Sequence, residues 1–254
     1  MKIMPNRLDR GFYLYQREFE QKALEVLRSG WYILGRELSS FEEEFAAYTG
    51  SRYCVGLASG LDALWIAFRI LGIGQGDEVI VQGNTYIASV MGITINGATP
   101  VFVEPDEYYN INADKIEEKI TERTKAILVV HLYGQASNMA PIMDTAKRHG
   151  LRVVEDCAQA HGARYNGKLA GSLGELGCFS FYPGKNLYAF GEGGSVTCHK
   201  KEYHDAITTI KNQGCQVRYY HDVIGYNYRL EGLQGAVLSV SLQYLPEWTK
   251  RRKE

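Results

Sequence analysis

The strongest constraint on this chain is a repeated alternation of two patterns. Short runs of Val, Ile and Leu are each followed, within a few residues, by a stretch of helical period. Strands are predicted at Tyr53–Ala58, Glu78–Gln82, Thr99–Val103, Ala126–Leu132 and Leu151–Glu155. Between them, helices are predicted at Gly60–Leu71, Ile87–Ile95, Ala113–Ile120 and Pro141–His149. Strands that are apolar without a break must be buried on both faces, which requires a parallel sheet covered by helices. From Gly174 the spacing shortens. Cys178–Tyr182 and Gly194–Cys198 also read as strands, but they lie too close together for a helical crossover, so the sheet is expected to be mixed and mostly parallel.

Two helices lead in. Gln16–Ser29 is amphipathic and stops at Gly30, and a second starts at Ser39-Ser40, where Ser40 and Glu43 are spaced as a capping box. Lys201–Asn212 and Leu230–Tyr244 are read as the last two helices. The fold class is therefore α/β, with three layers and helices on both faces of the sheet. A chain of 254 residues can bury one large core of this kind. Residues 1–30 form an N-terminal helical segment in this reading, and residues 31–254 the large domain.

Composition removes several functions. A formal charge of −1 gives no steering towards nucleic acid or an anionic membrane. No apolar run approaches membrane-spanning length. Met1–Arg10 carries charges and a proline without an apolar core, so it is not read as a signal peptide. Five cysteines, Cys54, Cys157, Cys178, Cys198 and Cys215, are scattered without zinc spacing or a disulfide framework. No metal site is expected, and the expected location is cytoplasmic.

In an open α/β sheet, ligands bind beyond the carboxyl ends of the strands. Ser59-Gly60-Leu61 closes one strand and opens a helix whose free N–H groups can hold a phosphate, although a plain N-cap serine explains it equally well. It is not a P-loop, and no Gly-x-Gly-x-x-Gly fingerprint opens the first helix. Tyr86 offers a flat ring, which could equally be simple packing. Asp156 ends a buried strand and needs a cationic or hydrogen-bonding partner there; the alternative is a capped turn. Gln159 shares its rim. Lys185 follows the turn pair Pro183-Gly184 and precedes Gly191-Glu192-Gly193-Gly194, where it can be partly desolvated and made nucleophilic. A solvated loop lysine is the alternative. His131 and His161 are given structural roles. A phosphate cradle, a ring-stacking aromatic, an acid for a ring nitrogen and an amine for an aldehyde are together what pyridoxal 5'-phosphate asks of a protein.

Five separated motifs, in order and with matching spacing, carry a resemblance. They are Ser-Gly-Leu-Asp-Ala-Leu (59–64), Glu-Asp-Cys-Ala-Gln-Ala-His-Gly-Ala (155–163), Phe-Ser-Phe-Tyr-Pro-Gly-Lys-Asn-Leu (179–187), Gly-Glu-Gly-Gly (191–194) and Gly-Tyr-Asn-Tyr-Arg-Leu (225–230). From Trp31 to its end the chain resembles the DegT/DnrJ/StrS sugar aminotransferases. That resemblance implies a fold-type-I pyridoxal phosphate enzyme, acting as a homodimer. It would move an amino group from an amino acid, glutamate by expectation, to a nucleotide-linked keto sugar, with a dTDP-linked 3-keto-6-deoxyhexose as the expected acceptor.

It also implies that Lys185 carries the cofactor, Asp156 faces the pyridinium nitrogen, Gln159 contacts the ring hydroxyl and Tyr86 stacks. Ser59, Gly60, Leu61 and Ser180 would line the phosphate, and Asn227 would reach the cofactor of the neighbouring subunit.

Three departures stand out. Leu61 replaces the threonine usual after Ser-Gly. Tyr188 and Phe190 are bulkier than the family's loop and are expected to reshape the sugar pocket. The family's small C-terminal domain has no counterpart before Glu254, so the chain is expected to be truncated. Competing readings are a non-catalytic or regulatory protein of the same shape, another fold-type-I enzyme such as a lyase, and a plain nucleotide-binding domain.

Overall fold

The computed structural model describes residues 7–254; the signal-peptide reading falls partly outside this range, at residues 1–6. In chain order the elements are α1 (Asp9–Leu14), α2 (Gln16–Ser29), α3 (Arg36–Thr49), β1 (Tyr53–Leu57), α4 (Gly60–Ile70), β2 (Glu78–Gln82), α5 (Ile87–Thr94) and β3 (Thr99–Val103). They continue as β4 (Thr124–Val130), α6 (Met139–His149), β5 (Arg152–Asp156), the short hairpin β6 (Arg164–Tyr165) and β7 (Lys168–Leu169), β8 (Leu176–Ser180), β9 (Gly194–Cys198), α7 (Lys201–Lys211) and α8 (Gly232–Lys253).

Seven strands form one sheet in the order β1-β9-β8-β5-β4-β2-β3. The run from β8 through β5, β4 and β2 to β3 is parallel, and β9 pairs antiparallel with both β1 and β8. Strand β9 alone runs against the rest, so the carboxyl ends of β1, β2, β4, β5 and β8 and the start of β9 share one rim. The mixed, mostly parallel sheet expected from the spacing is what forms.

Alternation along the strands divides the core. Val79, Val81, Leu128, Val154, Cys178 and Val196 face α4, whose Leu64, Ile66 and Phe68 are buried with them. Their neighbours Ile80, Ile127, Val129 and Val153 point the other way, against Ile142 and Ala146 of α6. On that same side Phe179 and Cys54 pack with Phe41 and Phe45 of α3 and with Leu238 and Leu242 of α8. The sheet is thus covered on both faces. The N-terminal segment joins the body through α2, where Phe19 packs on Val237 and Val240 of α8. All five cysteines are buried and free.

Three expectations are corrected. Ala113–Ile120 is two single turns of 3₁₀ helix, because Ile120 is already extended and the segment has too few apolar positions to bury a longer helix. Helix α3 begins at Arg36, not at Ser39-Ser40, so the Ser40–Glu43 capping box lies inside it. The buried face Leu38, Phe41 and Phe45 already needs the earlier turn. Helix α8 runs through Pro246 to Lys253, nine residues beyond the expected Tyr244.

Candidate active site

Eight of the nine candidate residues converge on one cavity of about 530 Å³: Ser59, Gly60, Leu61, Tyr86, Asp156, Gln159, Ser180 and Lys185. Thr85, Ser89, Tyr182 and Glu192 complete its polar lining. The rim explains the convergence. Asp156 and Ser180 end β5 and β8, and the others follow the carboxyl end of β1, β2, β5 or β8, except Glu192, which leads into the opposed β9.

The start of α4 is a tight cradle. The Ser59 Oγ accepts the Asp62 N–H at 3.1 Å, which leaves the N–H groups of Gly60 and Leu61 without an acceptor in the helix. A Cβ on Gly60 would come within 2.6 Å of the Ser180 Cβ. From behind, a Cβ on Gly194 would meet the Ser59 carbonyl at 2.3 Å. These three chain segments therefore touch through their backbones, and two open N–H groups point outward at a helix start suited to an anion. Burial, helped by the charge of Glu192, pushes the Asp62 carboxyl up against the hydrogen bonds from Ser59.

Asp156 is buried at the end of β5. Its Oδ2 accepts the Ser89 hydroxyl at 2.7 Å and its Oδ1 accepts the Ala158 N–H at 3.0 Å. Gln159 is oriented by the backbone: the Tyr133 N–H donates to its Oε1 at 2.8 Å, so its amide NH₂ is the end left free. Tyr133 and Gly134 reach this position with φ of 57° and 83°, a left-handed pair that glycine eases at the second site. Tyr86 is the N-cap of α5, lines the cavity and is 69% exposed as a residue.

Lys185 sits on the return from β8 to β9. Its N–H donates to the Tyr182 carbonyl at 2.8 Å, closing the Pro183-Gly184 turn. The Ala189 N–H donates to the Phe181 carbonyl and the Phe181 N–H to the Gly193 carbonyl, so both feet of the loop are tied. The charge of Lys185 reaches the buried ring of His161. Burial first, and then that charge, pushes the imidazole down to about 3.

Neither histidine lines the cavity. His161 lies between the rings of Phe179 and Phe181, with both nitrogens unpartnered. His131 Nδ1 accepts the Ser137 N–H at 3.0 Å, so its Nε2 carries the proton that it donates to Glu155 at 2.9 Å. Glu155 also accepts the N–H groups of Gly171, Leu173 and Gly174 at 2.8, 2.8 and 2.7 Å. Burial alone would raise the Glu155 carboxyl, but His131 and these N–H groups outweigh it and hold it below the ordinary range. His131, Glu155 and Cys157 place three ligand atoms within 4.8 Å of one another. Those of His131 and Glu155 are already spent on the bonds just described.

Asn227 is not brought to this cavity. It bridges to Asn212, and the following residues lie along β1, where the Ala58 N–H donates to the Tyr228 carbonyl. A buried ion pair braces that stretch: Lys211 Nζ is 2.9 Å from Glu42 and 3.1 Å from the Gly56 carbonyl. The adjoining Tyr219, Tyr220 and Ile224 are largely exposed.

Tyr188 and Phe190 do not line this cavity. Tyr188 stacks on Trp248 and Phe190 packs on Phe19. Tyr188 instead lines a neighbouring hollow of about 360 Å³ that meets the first at Lys185. Thr85 falls on the rim expected just after β2 and Glu192 in the Gly-Glu-Gly-Gly motif, though neither was singled out for a role; Ser89 was missed in the sequence. Ser89, one turn beyond Thr85 in the first turn of α5, belongs to no motif and could have been flagged only by a hydroxyl on a helix otherwise apolar.

The sequence model of the DegT/DnrJ/EryC1/StrS aminotransferase family matches residues 14–254. The dTDP-3-amino-3,6-dideoxy-alpha-D-galactopyranose transaminase of Aneurinibacillus thermoaerophilus is 55% identical over 94% of the chain and 66% of its own length. Among solved structures, S. venezuelae DesV in complex with a ketimine intermediate superposes with a TM-score of 0.96 at 46% identity, covering 97% of this chain and 67% of that one. NtdA from Bacillus subtilis, with bound cofactor PMP, gives a TM-score of 0.90 at 32% identity, over 96% of this chain and 56% of its own. The chain thus spans about two thirds of the length of these relatives, or less.

Proposed function

We propose, on the premise that this chain belongs to the DegT/DnrJ/EryC1/StrS aminotransferase family, that it serves a pyridoxal phosphate-dependent transamination. The amino group passes from an amino acid, glutamate in this reading, to a nucleotide-linked keto sugar. A dTDP-linked 3-keto-6-deoxyhexose is the first acceptor to try, because the relatives named for a substrate or solved with an intermediate include a dTDP-3-amino sugar transaminase. One observation carries the reading: Lys185 and Asp156, 29 positions apart in sequence, line the same cavity as the open helix start at Ser59-Gly60-Leu61.

The residues fit the cofactor. The cradle would be filled by any side chain at Gly60, two N–H groups stand open there, and the cavity is of the size that encloses a compact aromatic phosphate. Ser59, Gly60, Leu61 and Ser180 would hold the phosphate. Tyr86 would cover one face of the ring, Gln159 would offer its NH₂ to the ring hydroxyl, and Asp156 would face the ring nitrogen. When bound, the group supplies a sink for the electron pair left as a proton leaves the amino-acid carbon. Lys185 Nζ would hold the cofactor's aldehyde carbon and, when free, would carry the proton between the two carbons as base and then acid. Asp156, held by hydrogen bonds from Ser89 and Ala158, would accept from the protonated ring nitrogen.

The assembly we propose is a homodimer. Asn227 lies outside the cavity of its own chain, on a braced stretch beside exposed Tyr219, Tyr220 and Ile224, and would serve the cavity of a second copy. Residues 31–254 are read as the cofactor-binding domain, with the N-terminal helices leaning on α8, and the protein as cytoplasmic. Among the described residues no helix is long and apolar enough to cross a membrane.

The test is borohydride reduction of the loaded protein, peptide mapping, and then a half-reaction screen against dTDP- and UDP-linked 3-keto and 4-keto sugars. Cofactor mass is expected on Lys185, and none after Lys185→Ala. Mass on another lysine, or an unaltered Lys185→Ala protein, overturns the reading.

A further inference from the structure

Ser89 and Thr85 have no part in the function as stated, yet they form a directed chain of hydroxyls that ends on Asp156. Ser89 is fully buried, in the first turn of α5, and its Oγ lies 2.7 Å from Asp156 Oδ2 and 2.7 Å from Thr85 Oγ1. A serine hydroxyl has one proton. An ionised carboxylate can only accept, so that proton goes to Asp156, and Ser89 must in turn accept the Thr85 proton. Thr85 lines the cavity, so the chain of donors runs from the cavity wall to the carboxylate. The other carboxylate oxygen holds the Ala158 N–H at 3.0 Å. Each oxygen thus takes one donor from the chain and keeps a lone pair for a ligand.

We infer that Thr85 and Ser89 are positioning residues that aim Asp156 and keep the shared proton on the ring nitrogen of the cofactor rather than on the carboxylate. The inference rests on the cofactor reading above. Its physical basis is competition for one proton. A donor on Oδ2 makes the carboxylate a weaker base, so the proton between Asp156 and the ring stays on nitrogen. A hydroxyl that itself accepts a hydrogen bond donates more strongly, which gives Thr85 a role through Ser89 without contact of its own with Asp156. Nothing else on α5 reaches this carboxylate: the helix is otherwise apolar along Ile87, Ala88, Val90 and Met91.

The test uses the full chain loaded with pyridoxal phosphate labelled with ¹⁵N in the ring. Ser89→Ala is expected to bind the cofactor about tenfold more weakly, the size of one hydrogen bond to a charged group. Its ring ¹⁵N resonance should move from the pyridinium towards the neutral-pyridine position. Ser89→Cys, a near-isosteric weak donor, should fall between wild type and Ser89→Ala. Thr85→Val should shift the resonance the same way by less, and Thr85→Val with Ser89→Ala should match Ser89→Ala alone, since Thr85 acts through Ser89.

Thermal unfolding of each apoprotein shows whether the variant is folded. If Ser89→Ala is not, Thr85→Val and Ser89→Cys carry the test. A ring resonance unchanged in folded variants, or additive effects in the double variant, overturns the inference. Absence of any cofactor adduct on wild-type Lys185 would instead overturn the cofactor reading, so the two failures are told apart.

Discussion

Replacing Glu155 by glutamine tests what holds the floor of the site. Glu155 is fully buried and accepts four hydrogen bonds, from His131 Nε2 and from the N–H groups of Gly171, Leu173 and Gly174. Glutamine has almost the same volume, so a packing role would leave stability nearly unchanged. The amide, however, has one oxygen and one NH₂. Whichever way it turns, its NH₂ faces at least one N–H that has lost its acceptor. With a buried donor left unpaired costing about 1–3 kcal/mol, and the charge-assisted bonds to the other oxygen weakened, a loss of about 3–5 kcal/mol is expected.

Urea unfolding of the apoprotein measures it. The pH dependence gives a second check. The folded Glu155 carboxyl lies below its ordinary value, so its stabilisation is complete above the ordinary carboxylate range and is lost as pH falls through the folded value. The difference between wild type and Glu155→Gln should therefore be greatest near neutral pH and should shrink in acid. A Glu155→Gln protein within about 1 kcal/mol of wild type at pH 7 would refute the reasoning, since that is the margin within which lost donors could not be distinguished from simple packing.

Two further outcomes follow from the same structure. Gly60→Ala would drive a Cβ to within 2.6 Å of the Ser180 Cβ, so cofactor affinity should fall by tenfold or more while far-ultraviolet circular dichroism is retained; equilibrium dialysis reads it, and wild-type affinity counts against the cradle. His161, pushed down to about 3 by burial, stays neutral when folded and charges when unfolded. The unfolded chain binds the extra proton between that value and about 6.5, so folding stability rises with pH across this window. Relative to His161→Leu, the wild type should lose about 2 kcal/mol between pH 7 and pH 5 in urea titrations; parallel pH curves would contradict this.

How far the sequence reached depended on whether a feature was local. Strands β2, β3 and β9 and helix α2 were legible to the residue, because continuous apolar runs and a terminal glycine mark them without help from elsewhere. The rim rule gathered Ser59, Gly60, Tyr86, Asp156, Gln159 and Lys185, the resemblance added Leu61 and Ser180, and all eight line one cavity. Where tertiary packing decides, the reading failed. Ala113–Ile120 has helical residues, but Ile116 is drawn into the core while Ile120 leaves the turn extended. The helix expected to end at Tyr244 continues through Pro246 to Lys253. The Ser89–Asp156 bond spans 67 positions and no local pattern announces it. Tyr188 and Phe190 were placed by their bulk and not by their neighbours, which turn out to be the N-terminal helices and Trp248.

The single reversed strand has a consequence for how such a site can vary. Because β9 returns antiparallel beside β8, the loop 181–193 that bears Lys185 is hung from two adjacent strands of the same sheet and has no crossover helix to lengthen or tilt. The segment before α5, by contrast, brings Thr85 and Tyr86 to the wall from a helix that can shift. The loop that carries Lys185 is thus the part of the cavity with the least room to drift.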